Sequence, residues 1–129
     1  MKRNDLSLRI LVLNCQSIKS AGKPAQLSNI IESSQANIAI VTESWLKPSV
    51  NSPEVFPPNF KCYRKDRLKT EGGGVFLIVS DTYESEEPEE MKVDNDCELI
   101  WAKLKIKGSK DLYIGSCYIV HLITVTAYT

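Results

Sequence analysis

The chain has 129 residues, of which 43% are hydrophobic and 25% charged, and its 16 basic and 16 acidic residues give a formal net charge of zero. This composition is typical of one soluble globular domain and excludes a disordered chain. A chain without net charge would need a local basic patch to bind nucleic acid. No apolar run is long enough to span a membrane and no secretory signal is evident, so we expect an intracellular protein, nuclear or cytoplasmic, with no membrane partner.

The first part of the chain has the pattern of a strand, a helix and a second strand. An aliphatic run over residues 8–13 predicts a buried strand, and residues 24–34 carry apolar side chains at helical spacing. The run Ile38–Thr42 predicts a strand that is buried on both faces. Short links in this order favour parallel strands, which would bring Asn14 and Glu43, at the two strand ends, to one edge of a sheet.

The middle of the chain alternates between loops and short strands. Several prolines place residues 46–60 in a surface loop, and residues 61–64 could form a short strand. The apolar run at 75–79 predicts another buried strand. Residues 80–96 are rich in acid and predict a solvated loop.

The last part of the chain predicts a hairpin. Residues 97–107 alternate in polarity with a slip in phase near Ala102, and a turn at 108–111 leads to an antiparallel return strand over 112–118. Together with the parallel pair, this predicts an α/β (α+β) fold with a mixed sheet in a layered sandwich.

Glu43 is the first candidate for chemistry, because function gathers at the carboxyl ends of buried parallel strands. Mg²⁺ takes hard oxygen ligands, typically one or two carboxylates with waters and phosphate oxygens. Glu43 as a metal ligand, with Asn14 positioning a phosphate or water, would suit that task. A carboxylate in this place can equally be solvated or cap the next turn, and Asn often simply ends a strand.

Residues 61–69 form a basic stretch with one acid, Asp66. Arg64, Lys65 and Arg67 are candidates for contacts with nucleic-acid phosphates. The alternative is a solvated loop in which Asp66 pairs with an arginine.

Three other features favour structural roles. The glycines at 72–74 precede a strand and lack a following Lys-Ser/Thr, so they predict a tight turn or a close backbone approach rather than a P-loop. Trp45 and Trp101 are expected in the core. The four cysteines form no C-x-x-C pair, which argues against a zinc site and favours partly buried, reduced thiols.

Four stretches together carry a resemblance to a known family. They are Leu-Val-Leu-Asn-Cys-Gln-Ser at 11–17, Ile-Val-Thr-Glu-Ser-Trp-Leu at 40–46, Tyr-Arg-Lys-Asp-Arg at 63–67 with Gly-Gly-Gly-Val at 72–75, and Tyr-Ile-Gly-Ser-Cys-Tyr at 113–118. In this order they resemble the N-terminal part of an endonuclease/exonuclease/phosphatase domain. The nearest resemblance is to the apurinic-endonuclease-like domain of LINE-type (non-LTR) retrotransposon polyproteins, over nearly all of residues 7–118.

The resemblance implies roles for three residues. Asn14 resembles the active-site asparagine of the family, Glu43 its metal-binding glutamate, and Tyr118 a tyrosine that contacts phosphate at the catalytic edge. The implied fold is the N-terminal portion of a four-layer α/β sandwich, and the implied reaction is Mg²⁺-dependent phosphodiester hydrolysis. In the retrotransposon branch the substrate is DNA, which is nicked to prime reverse transcription.

The sequence departs from the family pattern after Tyr118. Arg-Pro-Pro is replaced by Ile-Val-His-Leu, and the later motifs Gly-Asp-Phe-Asn and Ser-Asp-His, which supply an aspartate, an asparagine and a histidine, are absent. We therefore expect a partial domain over 1–118, a divergent apolar tail over 119–129, and a truncated endonuclease-like protein that does not cut DNA. Whether the chain is an enzyme stays open.

Two other interpretations stay open beside the truncated endonuclease. One is a non-enzymatic nucleic-acid or protein interaction module that uses the basic 61–69 stretch. The other is an unrelated α/β domain in which Glu43 caps a loop. Because half of the sandwich is missing, we also expect a sheet that lacks its partner layer and could self-associate through the exposed face.

Overall fold

Residues 8–67, 72–92, 97–119 and 122–128, which the computed structural model describes, form two four-stranded sheets and one α-helix. The elements are β1 Ile10–Asn14, α1 Lys23–Ser34, β2 Ile38–Thr42, β3 Phe60–Lys65, β4 Val75–Ser80, β5 Glu84–Glu86, β6 Leu99–Lys105, β7 Leu112–Ile119 and β8 Leu122–Tyr128. Short 3-10 turns lie at Ser52–Glu54 and Glu89–Met91. Within the described ranges, no helix has both the length and the apolar character needed to cross a membrane.

The first sheet is mixed and has the strand order β1-β2-β4-β3. β1 and β2 are parallel and are connected by α1, whereas β4 runs antiparallel to β2 and β3. The predicted strand-helix-strand unit is therefore confirmed. Asn14 lies opposite Thr42, one residue before Glu43, so the ends of β1 and β2 do meet at one edge.

The helix begins where proline and glycine permit a change of direction. Gly22 precedes it at φ 82°, Pro24 occupies its first turn, where a missing N–H costs nothing, and Gln35 ends it in the left-handed conformation. Leu27 and Ile31, four residues apart, are buried against the first sheet.

The second sheet is antiparallel and has the order β5-β6-β7-β8. The predicted β6–β7 hairpin is confirmed, but the predicted slip in phase near Ala102 is wrong. Ile100, Ala102 and Leu104 all face inward, and Trp101 and Lys103 lie on the opposite face. The small Ala102 fills an inner position where the sheets pack closely, and Trp101 covers Gly115 on the outer face.

The two sheets stack face to face and enclose the second of two cores. One core lies between α1 and the first sheet, and the other lies between the sheets. Both faces of the central strands β2 and β4 are covered, which explains why every residue of β2 is buried, whereas Ile10 and Val12 of the edge strand β1 stay exposed. The expectation that this sheet lacks a partner layer was wrong, because β5–β8 supply that layer.

Two segments contain strands that were not predicted: one was predicted as a loop and the other as a divergent tail. The acidic segment after β4 includes β5, whose Ser85 is buried and faces Leu104 of β6. The segment beyond residue 119 includes β8, which extends the second sheet by pairing with β7 along its whole length. The boundary at residue 118 stays a prediction.

Candidate functional site

The carboxyl ends of β1 and β2 and the start of β4 form one edge of the first sheet, which we call the rim (residues 14–18, 43–46 and 72–74). Ser17 N donates to the backbone oxygen of Glu43 at 2.9 Å, and Ile18 N donates to that of Ser44 at 3.0 Å. On the other side, the amides of Ser44 and Trp45 donate to the oxygens of Gly74 and Gly73 at 3.3 and 2.9 Å. Main-chain hydrogen bonds therefore hold the three segments of the rim together.

Left-handed backbone recurs in all three segments of the rim. Glu43 and Trp45 have φ values of 55° and 56°, Gln16 and Ser17 have 42° and 76°, and the three glycines also have positive φ. Residues with a β-carbon rarely adopt this conformation, and such strain clusters at functional sites. In this chain it begins directly after β2, and Glu43 is the first residue beyond the strand end.

All three glycines have positive φ, and Gly73 and Gly74 are also required by close contacts. A β-carbon at Gly73 would lie 2.2 Å from the guanidinium carbon of Arg67 and 2.3 Å from Oε1 of Glu98. At Gly74 it would lie 2.5 Å from Oγ of Ser44. The predicted close backbone approach at residues 72–74 is confirmed.

Glu98 anchors the glycine segment to the second sheet. Arg67 Nε and Nη2 donate to its two carboxylate oxygens at 2.6 and 3.1 Å, and Gly74 N donates to Oε1 at 3.1 Å. The hydrogen bond and charge of Glu98 raise the pKa of Arg67 further. Sequence reasoning missed Glu98, because no motif marks it and its partners are distant along the chain.

Glu43 and Tyr118, both predicted as site residues, are in direct contact. Tyr118 OH donates to Oε1 of Glu43 at 3.1 Å, so β7 of the second sheet reaches the rim of the first. The hydrogen bond to Glu43 raises the pKa of Tyr118, since removing the phenol proton would place two anions together. Tyr118 N donates to the backbone oxygen of Glu98 at 2.9 Å, which holds the tyrosine in place.

The pairing of β1 with β2 places Asn14, the third predicted site residue, at the same edge of the sheet as Glu43. It is exposed at the end of β1, beside Thr42 and next to the loop that binds the backbone of Glu43. Its position suits a contact with a ligand at the rim. The roles assigned to Asn14, Glu43 and Tyr118 stay predictions.

The candidate phosphate-binding cations are engaged within the fold. Arg64 Nη2 pairs with Asp66 at 2.9 Å and also donates to the backbone oxygen of Lys47 at 3.0 Å. Arg67 pairs with Glu98, and Lys65 is half-buried at the end of β3. The predicted pairing of Asp66 with an arginine is therefore confirmed, but the predicted solvated loop is wrong, because Arg64 and Lys65 belong to β3 and are half-buried.

The side chains at the rim could supply only some of the ligands of a magnesium ion. No group of three His, Cys, Asp or Glu side chains that could hold a metal occurs in the part of the chain that the structure describes. Glu98 is neutralised by Arg67, which leaves Glu43 as the carboxylate and the Asn14 amide as a second oxygen donor. The buried hydroxyl of Thr42, beside Glu43, has no hydrogen-bond partner among the described residues. This donor set suits an ion that keeps most of its ligands as water and phosphate oxygens.

The thiols of Cys15, Cys62 and Cys117 are poor nucleophiles. Burial raises the pKa of Cys15 to about 11 and that of Cys62 to about 12, and the pKa of Cys117 is also raised by burial. The reactive species is the thiolate, so these groups are inert near neutral pH. This supports their structural interpretation.

Trp45 does not lie in the core, contrary to the expectation from sequence. Its side chain is 39% exposed, whereas Trp101 is half-buried over Gly115. The left-handed backbone at Trp45 turns the indole outward between two buried neighbours, Ser44 and Leu46.

Comparison with known proteins supports the architecture. The sequence matches no protein-family model, and no curated protein matches it. Among solved structures, the AP endonuclease LMAP from Leishmania major superposes with a TM-score of 0.68 at 10% identity, over 86% of this chain and 40% of that one. TDP2 from D. rerio, complexed with a single-strand DNA product, gives a TM-score of 0.55 at 16% identity, over 84% of this chain and 44% of that one.

The chain thus spans less than half the length of these two proteins. Both have the endonuclease/exonuclease/phosphatase fold. At these identities the likeness concerns architecture. The described part of this chain has the α+β fold of endonuclease/exonuclease/phosphatase proteins, with a mixed sheet stacked on an antiparallel one.

Proposed function

We propose that this chain carries one side of a Mg²⁺-dependent, nuclease-type phosphodiester site. Glu43 would hold the ion, Asn14 would position a phosphate or water, and Tyr118 would orient Glu43 and contact phosphate. The observation that carries the proposal is the 3.1 Å hydrogen bond from Tyr118 OH to Glu43, which joins two sheets at the rim. The ion would supply charge stabilisation for a phosphate oxygen.

DNA is the proposed ligand. The support is the resemblance of residues 7–118 to LINE-type retrotransposon endonucleases, together with the fold shared with an AP endonuclease and with TDP2 bound to a DNA product. A basic rim is not required, because the bound ion would itself attract the phosphate.

The chain is proposed to bind metal and DNA without cutting. Phosphodiester hydrolysis needs a base or an oriented water in addition to the ion. Glu98 cannot act as that base while Arg67 donates to both of its oxygens. The described rim offers no second carboxylate that is free of an ion pair, so the water would lack an activating group.

The test separates binding from cutting. Purified chain is titrated with Mg²⁺ by calorimetry and incubated with supercoiled plasmid and Mg²⁺, in parallel with Glu43→Gln and Tyr118→Phe. We expect weak Mg²⁺ binding that Glu43→Gln abolishes, and no nicking by any variant. Equal Mg²⁺ binding by Glu43→Gln would refute the metal assignment, and nicking that Glu43→Gln abolishes would refute the lack of cutting.

The alternative interaction module has less support. Arg64 and Arg67 already bind Asp66 and Glu98, so a contact with phosphate would have to share or break these pairs. Salt-sensitive DNA binding that is unchanged in Glu43→Gln would favour this alternative.

Self-association is proposed at a sheet edge instead of a sheet face. β1 is the edge strand of the first sheet, and its Ile10 and Val12 side chains are 40% and 48% exposed. An exposed apolar edge strand favours pairing with the same strand of a second copy.

A further inference from the structure

We propose that Trp45 is a stacking platform for an unpaired nucleobase beside Glu43. The inference rests on the proposed function, in which the rim binds nucleic acid, and it adds the class of nucleic acid. It concerns a residue whose side chain has no role in the metal site.

Trp45 is exposed although its neighbours are fully buried. Ser44 and Leu46 are 0% and 1% exposed, whereas Trp45 is 39% exposed. In the described part of the chain the other large exposed hydrophobic residues are aliphatic: Ile10, Val12 and Ile30. A buried residue on each side holds the indole in a defined outward position.

The backbone at Trp45 is fixed in a conformation that costs free energy. Its φ is 56°, and its amide donates to the oxygen of Gly73 at 2.9 Å. Such strain persists only where surrounding contacts impose it, and it is concentrated at ligand sites. Because the backbone of Trp45 is already held, only side-chain freedom remains to be lost when a base stacks on its ring.

Cationic groups lie beside the indole. A β-carbon built on Gly72 would lie 3.5 Å from the indole nitrogen of Trp45 and 3.9 Å from Nη1 of Arg67, so the two side chains flank Gly72. Lys47 Nζ donates to the backbone oxygen of Arg67 at 3.0 Å, so a second cation lies beside Arg67. Arg67 is already paired with Glu98, so the contact with a base would come from the ring itself, as in proteins that stack successive bases on aromatic side chains.

The proposed ligand is single-stranded nucleic acid rather than an intact duplex. A base within a duplex is stacked on both faces, and it can lie on a protein ring only after leaving the stack. Trp45 lies two residues beyond Glu43. Both residues belong to the rim, and we propose that a phosphate bound near Glu43 places a neighbouring unpaired base on the ring.

The chain has two tryptophans, which permits a direct optical test. Trp101→Phe leaves Trp45 as the fluorophore, and Trp45→Phe leaves Trp101. Each variant is titrated with a thymidine oligonucleotide of about eight nucleotides, within the usual site size of such proteins. We expect the oligonucleotide to quench the tryptophan fluorescence of Trp101→Phe and to leave that of Trp45→Phe unchanged.

Affinity provides the second readout. Stacking energies predict that Trp45→Ala weakens oligonucleotide binding about 5- to 150-fold. Trp45→Phe, which keeps a ring, should lose much less, and binding of a blunt duplex should be little affected. Unchanged affinity in Trp45→Ala, equal quenching in both single-tryptophan variants, or no oligonucleotide binding by the wild type would overturn the proposal.

The test of Trp45 can fail or succeed independently of the test of the metal site. If Trp45→Ala binds DNA normally while Glu43→Gln loses Mg²⁺, the platform is refuted and the proposed function stands. If quenching is seen but Mg²⁺ binding does not depend on Glu43, the proposed function is refuted and the platform stands. Circular dichroism and thermal unfolding of Trp45→Ala and Trp45→Phe check that both variants are folded.

Discussion

The glycine segment of the rim gives the sharpest test of the structure. In Gly73→Ala the new methyl group would lie 2.2 Å from Nε of Arg67 and 2.3 Å from Oε1 of Glu98. These atoms form the ion pair that anchors the glycine segment to the second sheet. The methyl group cannot be accommodated unless this pair separates or the backbone moves.

The expected loss of stability has two parts. A residue with a β-carbon at φ 62° costs about 1–2 kcal/mol. Disrupting the partly buried, charge-assisted bonds between Arg67 and Glu98 costs a further 1.5–3 kcal/mol, roughly. Gly73→Ala should therefore lower the free energy of unfolding by about 3–5 kcal/mol.

Gly108→Ala is the matched control. Gly108 has φ 75°, but no atom lies within 4 Å of an added β-carbon. Gly108→Ala should therefore lose only the free energy of placing alanine in the left-handed conformation. The entropy that alanine removes from the unfolded chain is the same at both sites and cancels in the comparison. Urea unfolding should show Gly73→Ala to be less stable than Gly108→Ala by about 2–3 kcal/mol.

A double-mutant cycle identifies the cause. In an Arg67→Ala background one of the two side chains that crowd Gly73 is gone and the ion pair is already lost, so Gly73→Ala should cost less than it does in the wild type. Equal destabilisation by the two glycine substitutions in the wild-type background would refute the close packing at Gly73. An undiminished cost in the Arg67→Ala background would show that the ion pair is not its source.

Two further predictions concern pH and association. Burial raises the pKa of Cys62 from 9.0 to about 12, so its contribution to stability is fully present below about pH 9 and is lost as the pH rises towards the folded pKa. Urea unfolding at a series of pH values should show an extra loss of up to about 3 kcal/mol between about pH 9 and pH 11 in the wild type. Cys62→Ala should show a clearly smaller loss, because Cys15, whose pKa burial raises to about 11, still contributes over the same pH range. The exposed Cys97→Ala should keep the full loss, and a wild-type profile in Cys62→Ala would contradict the assignment. Val12→Lys should abolish concentration-dependent association in sedimentation velocity, and a wild type that is monomeric at all concentrations would exclude association through β1.

The first sheet could be predicted well because burial on both faces leaves a strong pattern. β2 has the predicted bounds, Ile38–Thr42, since a strand covered by a helix on one side and a sheet on the other reads as an unbroken apolar run. The order strand, helix, strand then requires Asn14 and Glu43 to share an edge. The second sheet was harder to predict from the sequence. In β6 the small Ala102 faces inward and the large Trp101 faces outward, which obscures the alternation of apolar and polar residues.

The rim could be predicted only in part. Glu98 lies 31 residues from Arg67 and 24 from Gly74, and no local pattern encodes contacts over such separations. Tyr118 was found through the family resemblance alone. The exposure of Trp45 overrides the usual preference of large aromatic residues for the core, because its left-handed backbone turns the side chain away from its buried neighbours.

The contacts of Glu43 bear on whether it is a loop cap or a ligand-binding residue. A capping carboxylate would accept hydrogen bonds from nearby backbone amides. Here the backbone oxygen of Glu43 accepts the amide of Ser17, and Ser44 and Trp45 pair with the glycine segment through their own amides. The carboxylate instead accepts the hydroxyl of Tyr118 from the other sheet. The rim is therefore held without the charge of Glu43, and Glu43→Gln should keep the fold while removing the anion, which makes it a clean probe of the proposed metal site.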